Sequence, residues 1–273
     1  MGPERSVTRD RERFELHTFE QAIEWVMDAG RMIKEKIDAN PISFETKTSH
    51  SDLVTEVDRK VESWLVERIT MNFPDHSILG EENINNRTSS SEYLWIIDPI
   101  DGTTNMINRN QEFAISIALC TANRAVFGIV YDVMGDKLFR AVKGKGAFVN
   151  NRKLNRLPDR LKLENELIAI TLPWHNAEEC TAYLALVTKA RGIRVYGATT
   201  MELCDIALRK LGAYVQYNVK AWDYAASRVI LEELGCKFSD LQGRDINWLY
   251  NGGVVAAPPE VHGEIVGALD LLL

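Results

Sequence analysis

The stretch Leu94-Trp95-Ile96-Ile97-Asp98-Pro99-Ile100-Asp101-Gly102-Thr103-Thr104-Asn105 constrains the fold more than any other. Leu94 to Ile97 is an unbroken apolar run, the pattern of a buried strand. It stops at Asp98, and Pro99 removes a backbone donor and ends the ladder. Gly102 permits a tight turn or a close backbone approach. Thr103-Thr104 offers an N-cap and a first helical turn. Two carboxylates, Asp98 and Asp101, therefore meet backbone N–H groups at one strand end. Carboxylates hold hard cations and helix N-termini hold anions. A place suited to both points to a phosphate bound through metal ions.

The flanking chain divides into two halves of different character. Residues 1–17 carry dense charge without periodicity, the mark of a disordered N-terminal segment. From Thr18 the apolar residues Phe19, Ile23, Val26, Met27, Ile33 and Ile37 recur at helical spacing, and Asn40-Pro41 stops them. Gly30 on that helix predicts a close backbone neighbour. Ser43 to Asp52 is a polar loop with room for a short hairpin, and a second helix carries Val61, Trp64, Leu65 and Ile69 inward. Ser77-Ile78-Leu79 is a short strand leading to Gly80-Glu81-Glu82. Asn83 to Glu92 reads as a mobile surface loop. Apolar strands at 113–120, 125–132, 137–141 and 146–149 then form a meander. Beyond about residue 160, strands alternate with helices, which implies layered α/β packing. The expected organisation is a single domain over 18–273, with an antiparallel-sheet half at about 18–160 and a mixed-sheet half at about 161–273.

Composition narrows the function. A chain of 273 residues with net charge -7 is unsuited to non-specific nucleic-acid or anionic-membrane binding. An acidic surface also repels phosphorylated substrates, so a phosphate site here needs cations. Cys120, Cys180, Cys204 and Cys236 are widely spaced and form no CxxC pair, which suits buried thiols in a reducing cytoplasm. No apolar run approaches the ~18 residues of a membrane span. The charged first eighteen residues lack a secretory signal pattern.

Further acids stand at element ends, and each has an ordinary alternative. Thr55-x-x-Asp58 fits a helix capping box. Glu81-Glu82 fits a solvated turn. Asp223 in Trp222-Asp223-Tyr224-Ala225-Ala226 complements a helix dipole. The five histidines, His17, His50, His76, His175 and His262, are scattered. An oxygen-only acid set favours Mg²⁺ over Zn²⁺.

Asp52-Leu53-Val54-Thr55-x-x-Asp58, Gly80-Glu81-Glu82, Asp98-Pro99-Ile100-Asp101-Gly102-Thr103-Thr104-Asn105 and Trp222-Asp223-x-Ala225-Ala226 together resemble the inositol monophosphatase family of magnesium-dependent, lithium-sensitive phosphatases, in its bacterial form. The resemblance implies the α-β-α-β-α sandwich of the inositol monophosphatase and fructose-1,6-bisphosphatase type. It implies two to three Mg²⁺ ions per subunit. Glu81, Asp98 and the carbonyl of Ile100 would ligate one, and Asp98, Asp101 and Asp223 the second. A third would sit on Glu81 with water. Asp58, Glu81 and Thr103 would orient the attacking water, and Gly102 and Thr103 would offer N–H groups to phosphate. Lys47 would close the site from its loop, and Gly197-Ala198-Thr199 would lie along the substrate.

The family resemblance further implies a phosphomonoesterase acting on a small phosphorylated polyol, with inositol 1-phosphate as the default. Fructose 1,6-bisphosphate and the 2′-phosphate of NADP(H) are rival substrates, and a regulatory binding role on the same fold is the rival of another class. A cytoplasmic homodimer, with no nucleic-acid or membrane partner, is the expected assembly. Three residues depart from the usual pattern. Gln216 stands where animal members carry a glutamate, Thr199 replaces a small alanine, and Met106 replaces a common phenylalanine after Asn105.

Overall fold

The computed structural model describes residues 3–39, 43–46, 53–82, 85–86, 91–122, 124–172 and 177–270. The N-terminal half contains α1 (Pro3–Ala39), the hairpin β1 (Phe44–Thr46) and β2 (Leu53–Thr55), and α2 (Glu56–Asn72). It continues through β3 (Ser77–Gly80), β4 (Asn85–Asn86), β5 (Leu94–Asp101) and α3 (Thr103–Arg109). The meander follows as β6 (Ala114–Cys120), β7 (Ala125–Asp132), β8 (Lys137–Val142), β9 (Gly146–Val149) and β10 (Arg152–Lys153). The second half alternates: β11 (Leu167–Ile170), α4 (Ala177–Lys189), β12 (Gly192–Arg194), α5 (Thr199–Ala207), β13 (Ala213–Val219) and α6 (Ala221–Glu233). It closes with β14 (Lys237–Ser239), β15 (Gly252–Ala257) and α7 (Pro259–Asp270).

Five layers follow from how the strands bury their two faces. In β5, Trp95 and Ile97 pack with Val26 and Ile33 of α1 and Val61 and Leu65 of α2. Ile96, on the other face, packs with Leu203 of α5 and Val229 of α6. The second sheet covers α5 and α6 through Tyr214 and Val254. Its outer face buries Tyr183 of α4 and Ile265 of α7. The order is thus helix pair, sheet, helix pair, sheet, helix pair, and the unbroken apolar run of β5 exists because both faces are covered.

Strand order in the first sheet is β10-β9-β8-β7-β6-β5-β3-β4. It is antiparallel except where β3 runs parallel to β5, so the expectation of a wholly antiparallel sheet needs that correction. The second sheet, β12-β11-β13-β15-β14, is mixed: β12, β11 and β13 are parallel, and β15 is antiparallel to β13.

The N-terminal segment departs from expectation. Residues 1–17 were read as disordered from their charge, yet α1 begins at Pro3. Its charges have partners on the sheet. Glu15 is buried, pairs with Arg124 and accepts the Tyr93 hydroxyl at 3.1 Å. Phe14 packs edge-on to Phe73, ring centroids 5.7 Å apart. Gly30 also differs from its reading, because its close neighbour is the Tyr131 ring and not a backbone. In the segment read as a mobile loop, Asn85–Asn86 pairs with β3. Residues 83–84 and 87–90 lie outside the described residues.

One glycine decides how α6 reaches the sheet. A Cβ on Gly128 of β7 would collide with the Ala226 carbonyl oxygen, and backbone cannot rotate away. Gly128→Ala is expected to cost about 2–3 kcal/mol by overpacking. The check is a thermal melt: a midpoint equal to wild type would show that α6 does not depend on this contact.

His262 gives a second test of the core. It is buried, with Nε2 2.8 Å from the Ser239 hydroxyl. Burial, and then the charge of Lys237, lower its pKa from 6.5 to about 4. The unfolded chain therefore binds this proton first as pH falls. The contribution is complete above about pH 6.5 and is lost on acidification toward pH 4, up to about 3 kcal/mol. Replacing His262 by Gln should remove that part of the acid sensitivity in melts between pH 7 and 4.5. Parallel curves for both proteins would refute it.

Candidate active site

The site forms where the first sheet meets α5 and α6. Asp98 and Asp101 are three apart, a spacing that puts alternate strand residues on opposite faces. The structure resolves this with a bulge. Asp98 pairs with Ser116 and Asp101 with Ala114, so three steps on β5 match two on β6. The extra residue returns both acids to one face, a device found beside active sites. Pro99 thus does not end the strand, as the sequence had suggested. β5 continues to Asp101, and the proline occupies the bulge, where its missing N–H breaks no ladder bond.

Asp98 is 2% exposed and its Oδ1 accepts the Ile100 N–H at 3.0 Å. Burial pushes its pKa well above the carboxylate range, and the charges of Glu81, Asp101 and Asp223 and a hydrogen bond with Glu81 push the same way. Asp101 rises to about 6, mainly through burial. Its rise is limited because Oδ2 accepts the Thr200 N–H at 2.6 Å and the Thr200 hydroxyl, and Oδ1 accepts the Thr199 N–H at 3.2 Å. Asp223 rises to about 8, again mainly through burial, although its Oδ2 accepts the Lys220 N–H at 2.7 Å. Each acid thus responds to the charge of Glu81, and the four share one electrostatic neighbourhood.

Among the described residues, no three acids close into a metal shell as they stand. Asp101 and Asp223 are turned toward backbone N–H groups instead. The donor set still fits a hard divalent cation: it is all oxygen, and its like charges raise one another in a way that a cation would reverse.

Asp58 combines the two alternatives the sequence left open. The capping box is real, because Thr55 N–H donates to Oδ2 at 2.8 Å, the Thr55 hydroxyl joins it, and the Asp58 N–H returns to Thr55 Oγ1 at 3.3 Å. Oδ1 remains for the Thr103 hydroxyl at 2.9 Å. That hydroxyl also lies 3.0 Å from the Ile100 carbonyl, so its one hydrogen serves one acceptor at a time. Asp58 is fully buried, and burial raises its pKa.

The remaining expected residues are placed as follows. Gly102 takes φ +90 at the start of α3, a conformation suited to glycine, and an added Cβ would lie 2.9 Å from Ala198 Cβ. Gly197 takes φ +74 and leads through Ala198 into α5. The Thr199 hydroxyl sits 3.0 Å from the Tyr214 hydroxyl. Gln216 is half-buried before a bulge in β13, and its Oε1 accepts the Tyr217 N–H at 3.1 Å. Lys47 lies outside the described residues.

Several residues at the site had escaped the motifs. Glu62 lies one helical turn after Asp58, fully buried, and accepts the Glu82 N–H at 2.8 Å beneath Gly80. A buried acid at i+4 from a candidate acid was the available signal. Ser116 donates to the Trp222 carbonyl at 3.2 Å and so ties β6 to the residue before Asp223. Thr200 and Glu202 hold the turn into α5 together with Asn105 of the central motif, and nothing local marks the first two.

The inositol monophosphatase family model matches residues 15–272. The inositol-1-monophosphatase of Bacillus subtilis is 37% identical over 250 residues, covering 90% of this chain and 94% of that protein. A putative Nus factor SuhB of Neisseria meningitidis serogroup B is 34% identical over 239 residues, covering 86% and 90%. A crystal structure of an IMPase/NADP phosphatase with Mg²⁺ and phosphate superposes with a TM-score of 0.85 at 28% identity, covering 93% of this chain and 95% of that one. The chain belongs to the inositol monophosphatase family, and it is a phosphoric monoester hydrolase.

Proposed function

We propose that the protein is a Mg²⁺-dependent phosphomonoesterase acting on a small phosphorylated polyol, with inositol 1-phosphate as its default substrate. The observation that carries this is the gathering of Asp98, Asp101 and Asp223 at the end of β5, each raised by burial and by the charge of Glu81 beside them. Glu81, Asp98 and the Ile100 carbonyl would hold one ion, and Asp98, Asp101 and Asp223 a second, with a third on Glu81. Bound Mg²⁺ offsets the carboxylates' repulsion of a phosphate dianion and stabilises the attacking and leaving oxygens of an in-line displacement.

The chain's own groups do the rest. Asp58 accepts a hydrogen bond from the Thr103 hydroxyl, so that as the Thr103 oxygen takes a proton from an attacking water its own proton passes to Asp58. Glu81 lies on the same water's path. Backbone N–H groups at Gly102 and Thr103 receive the phosphate oxygens, and the family resemblance adds the charge of Lys47. Gly197, Ala198 and Thr199 border the polyol, and Gln216 offers it a neutral amide in place of a carboxylate. That exchange favours a broad range of hydroxylated substrates.

The test is phosphate release by purified protein from inositol 1-phosphate, fructose 1,6-bisphosphate and NADP⁺ with Mg²⁺. Turnover of inositol 1-phosphate, suppressed by Li⁺, is expected. Absence of turnover on all three would sink the catalytic reading. Family resemblance also supports a homodimer working in the cytoplasm. The relative named as a putative Nus factor favours one further possibility, a role in binding transcription machinery. If a catalytically dead Asp101→Asn protein restores growth fully to a deletion strain, binding is the function that matters.

A further inference from the structure

The turn between β12 and α5 is held by two acids that come from opposite sides, the partly buried Asp101 and the buried Glu202. Helix α5 begins without a side-chain cap of its own, because its N-cap is Ala198. Instead, Asp101 of the first sheet takes the Thr199 and Thr200 N–H groups. On the other side of Ala198, Glu202 folds back from α5 and accepts the Tyr196 N–H at 2.6 Å and the Gly197 N–H. Asn105 of α3 completes the clamp, donating to the Tyr196 carbonyl at 2.8 Å and to the Glu112 carbonyl at 3.0 Å. Glu202 is 4% exposed.

A neutral cap would satisfy two N–H groups without burying a charge. A carboxylate here bears a desolvation cost that a purely structural turn does not require. Burial raises the Glu202 pKa to about 7 while the Tyr196 and Gly197 amides lower it; above that pH it adds stiffness, since hydrogen bonds to an ionised acceptor are roughly twice as strong as neutral ones. The stiffened segment is the one whose N–H groups also orient Asp101. Gly197, at φ +74, turns the chain there and leaves Ala198 as the only residue between the two clamped pairs.

We propose that Glu202 is a positioning residue: it fixes Tyr196–Thr199 so that this segment presents one surface to the non-phosphate part of the substrate. The proposal rests on the phosphatase reading above, in which that segment borders the polyol. Glu202 touches neither the phosphate subsite nor the carboxylates proposed as ligands. Its loss should therefore weaken polyol recognition more than phosphate recognition.

The test uses Glu202→Gln, which keeps the shape and one acceptor oxygen. Two quantities are compared with wild type: KM for inositol 1-phosphate, and the inhibition constant of inorganic phosphate, which reports the phosphate subsite alone. The ratio of the first to the second is expected to rise about tenfold. Hydrogen–deuterium exchange on metal-free protein is expected to quicken at the amides of residues 196–200 and not in β5. Equal shifts in both constants, or unchanged exchange at 196–200, would overturn the proposal. If wild type hydrolyses none of the phosphate esters, the phosphatase reading fails separately, and the exchange measurement still decides whether Glu202 holds the segment. Glu202→Ala should lose exchange protection further, and a variant as protected as wild type would equally overturn it.

Discussion

Asp98→Asn is expected to lower kcat by about three orders of magnitude or more, equivalent to about 4 kcal/mol of transition-state stabilisation. Asp98 is the acid that both proposed ions would share. It is also the most buried of the four acids, at 2% exposure, in contact with Glu81 and opposite Ser116 on β6. Asparagine keeps the shape and can still accept the Ile100 N–H. It cannot carry the negative charge or offer two oxygens to two cations. Because the substitution removes a charge that burial already disfavours, the metal-free variant should be at least as stable as wild type. That outcome separates a catalytic loss from a folding loss. A purified variant working within tenfold of the wild-type rate would refute the shared-ligand assignment.

The second large effect is a dependence of stability on pH that Mg²⁺ abolishes. Asp101 and Asp223 have folded-state pKa values of about 6 and about 8, against 3.8 for an unperturbed aspartate, and Asp98 is raised further. Raised carboxylates bind protons in the folded state that the unfolded state has released. Their favourable contribution is therefore complete below about pH 4 and is lost as pH rises through about 6 and then about 8. The Asp101 share is spent by about pH 6, so the fall between pH 6.5 and 9 comes from Asp223, on the order of 2 kcal/mol. For a chain of this size that is a fall of roughly 4–8 °C in melting midpoint. Metal-free protein should melt lower at pH 9 than at pH 6.5, and saturating Mg²⁺ should level the two by restoring opposite charge to the cluster. Below pH 6.5 the burial of neutral His262 acts in the reverse direction and offsets part of what the raised acids gain on acidification. A metal-free midpoint that is flat from pH 6.5 to 9 would show that the four acids do not share one neighbourhood.

Legibility from sequence followed the range of the interactions. The layered architecture was readable because strand and helix periodicities are local, and the two-faced apolar run of β5 announces a covered sheet. Asp58, Glu81, Asp98, Asp101 and Asp223 stood out because each closes a strand or opens a helix. What stayed hidden depends on partners distant in the chain. The β5 bulge is visible only against β6, where three steps meet two. Arg124 and Tyr93, more than seventy residues away, hold Glu15 and order the N-terminal helix. The partner of the Thr199 hydroxyl, Tyr214 of β13, is visible only in the fold. Glu202 looks like any acid on a helix until the Tyr196 and Gly197 amides are seen against it. The disordered reading of residues 1–17 failed for the same reason, since charge density alone does not tell a solvated face from a paired one.

The account turns on whether the cluster at the end of β5 binds two cations through a shared carboxylate. Crystals of the protein soaked in Mn²⁺ and measured for anomalous scattering test this directly. The expected result is two peaks with Asp98 between them, one beside Glu81 and the Ile100 carbonyl and the other beside Asp101 and Asp223. A single peak that leaves Asp223 unengaged, or none within reach of Asp98, would contradict it.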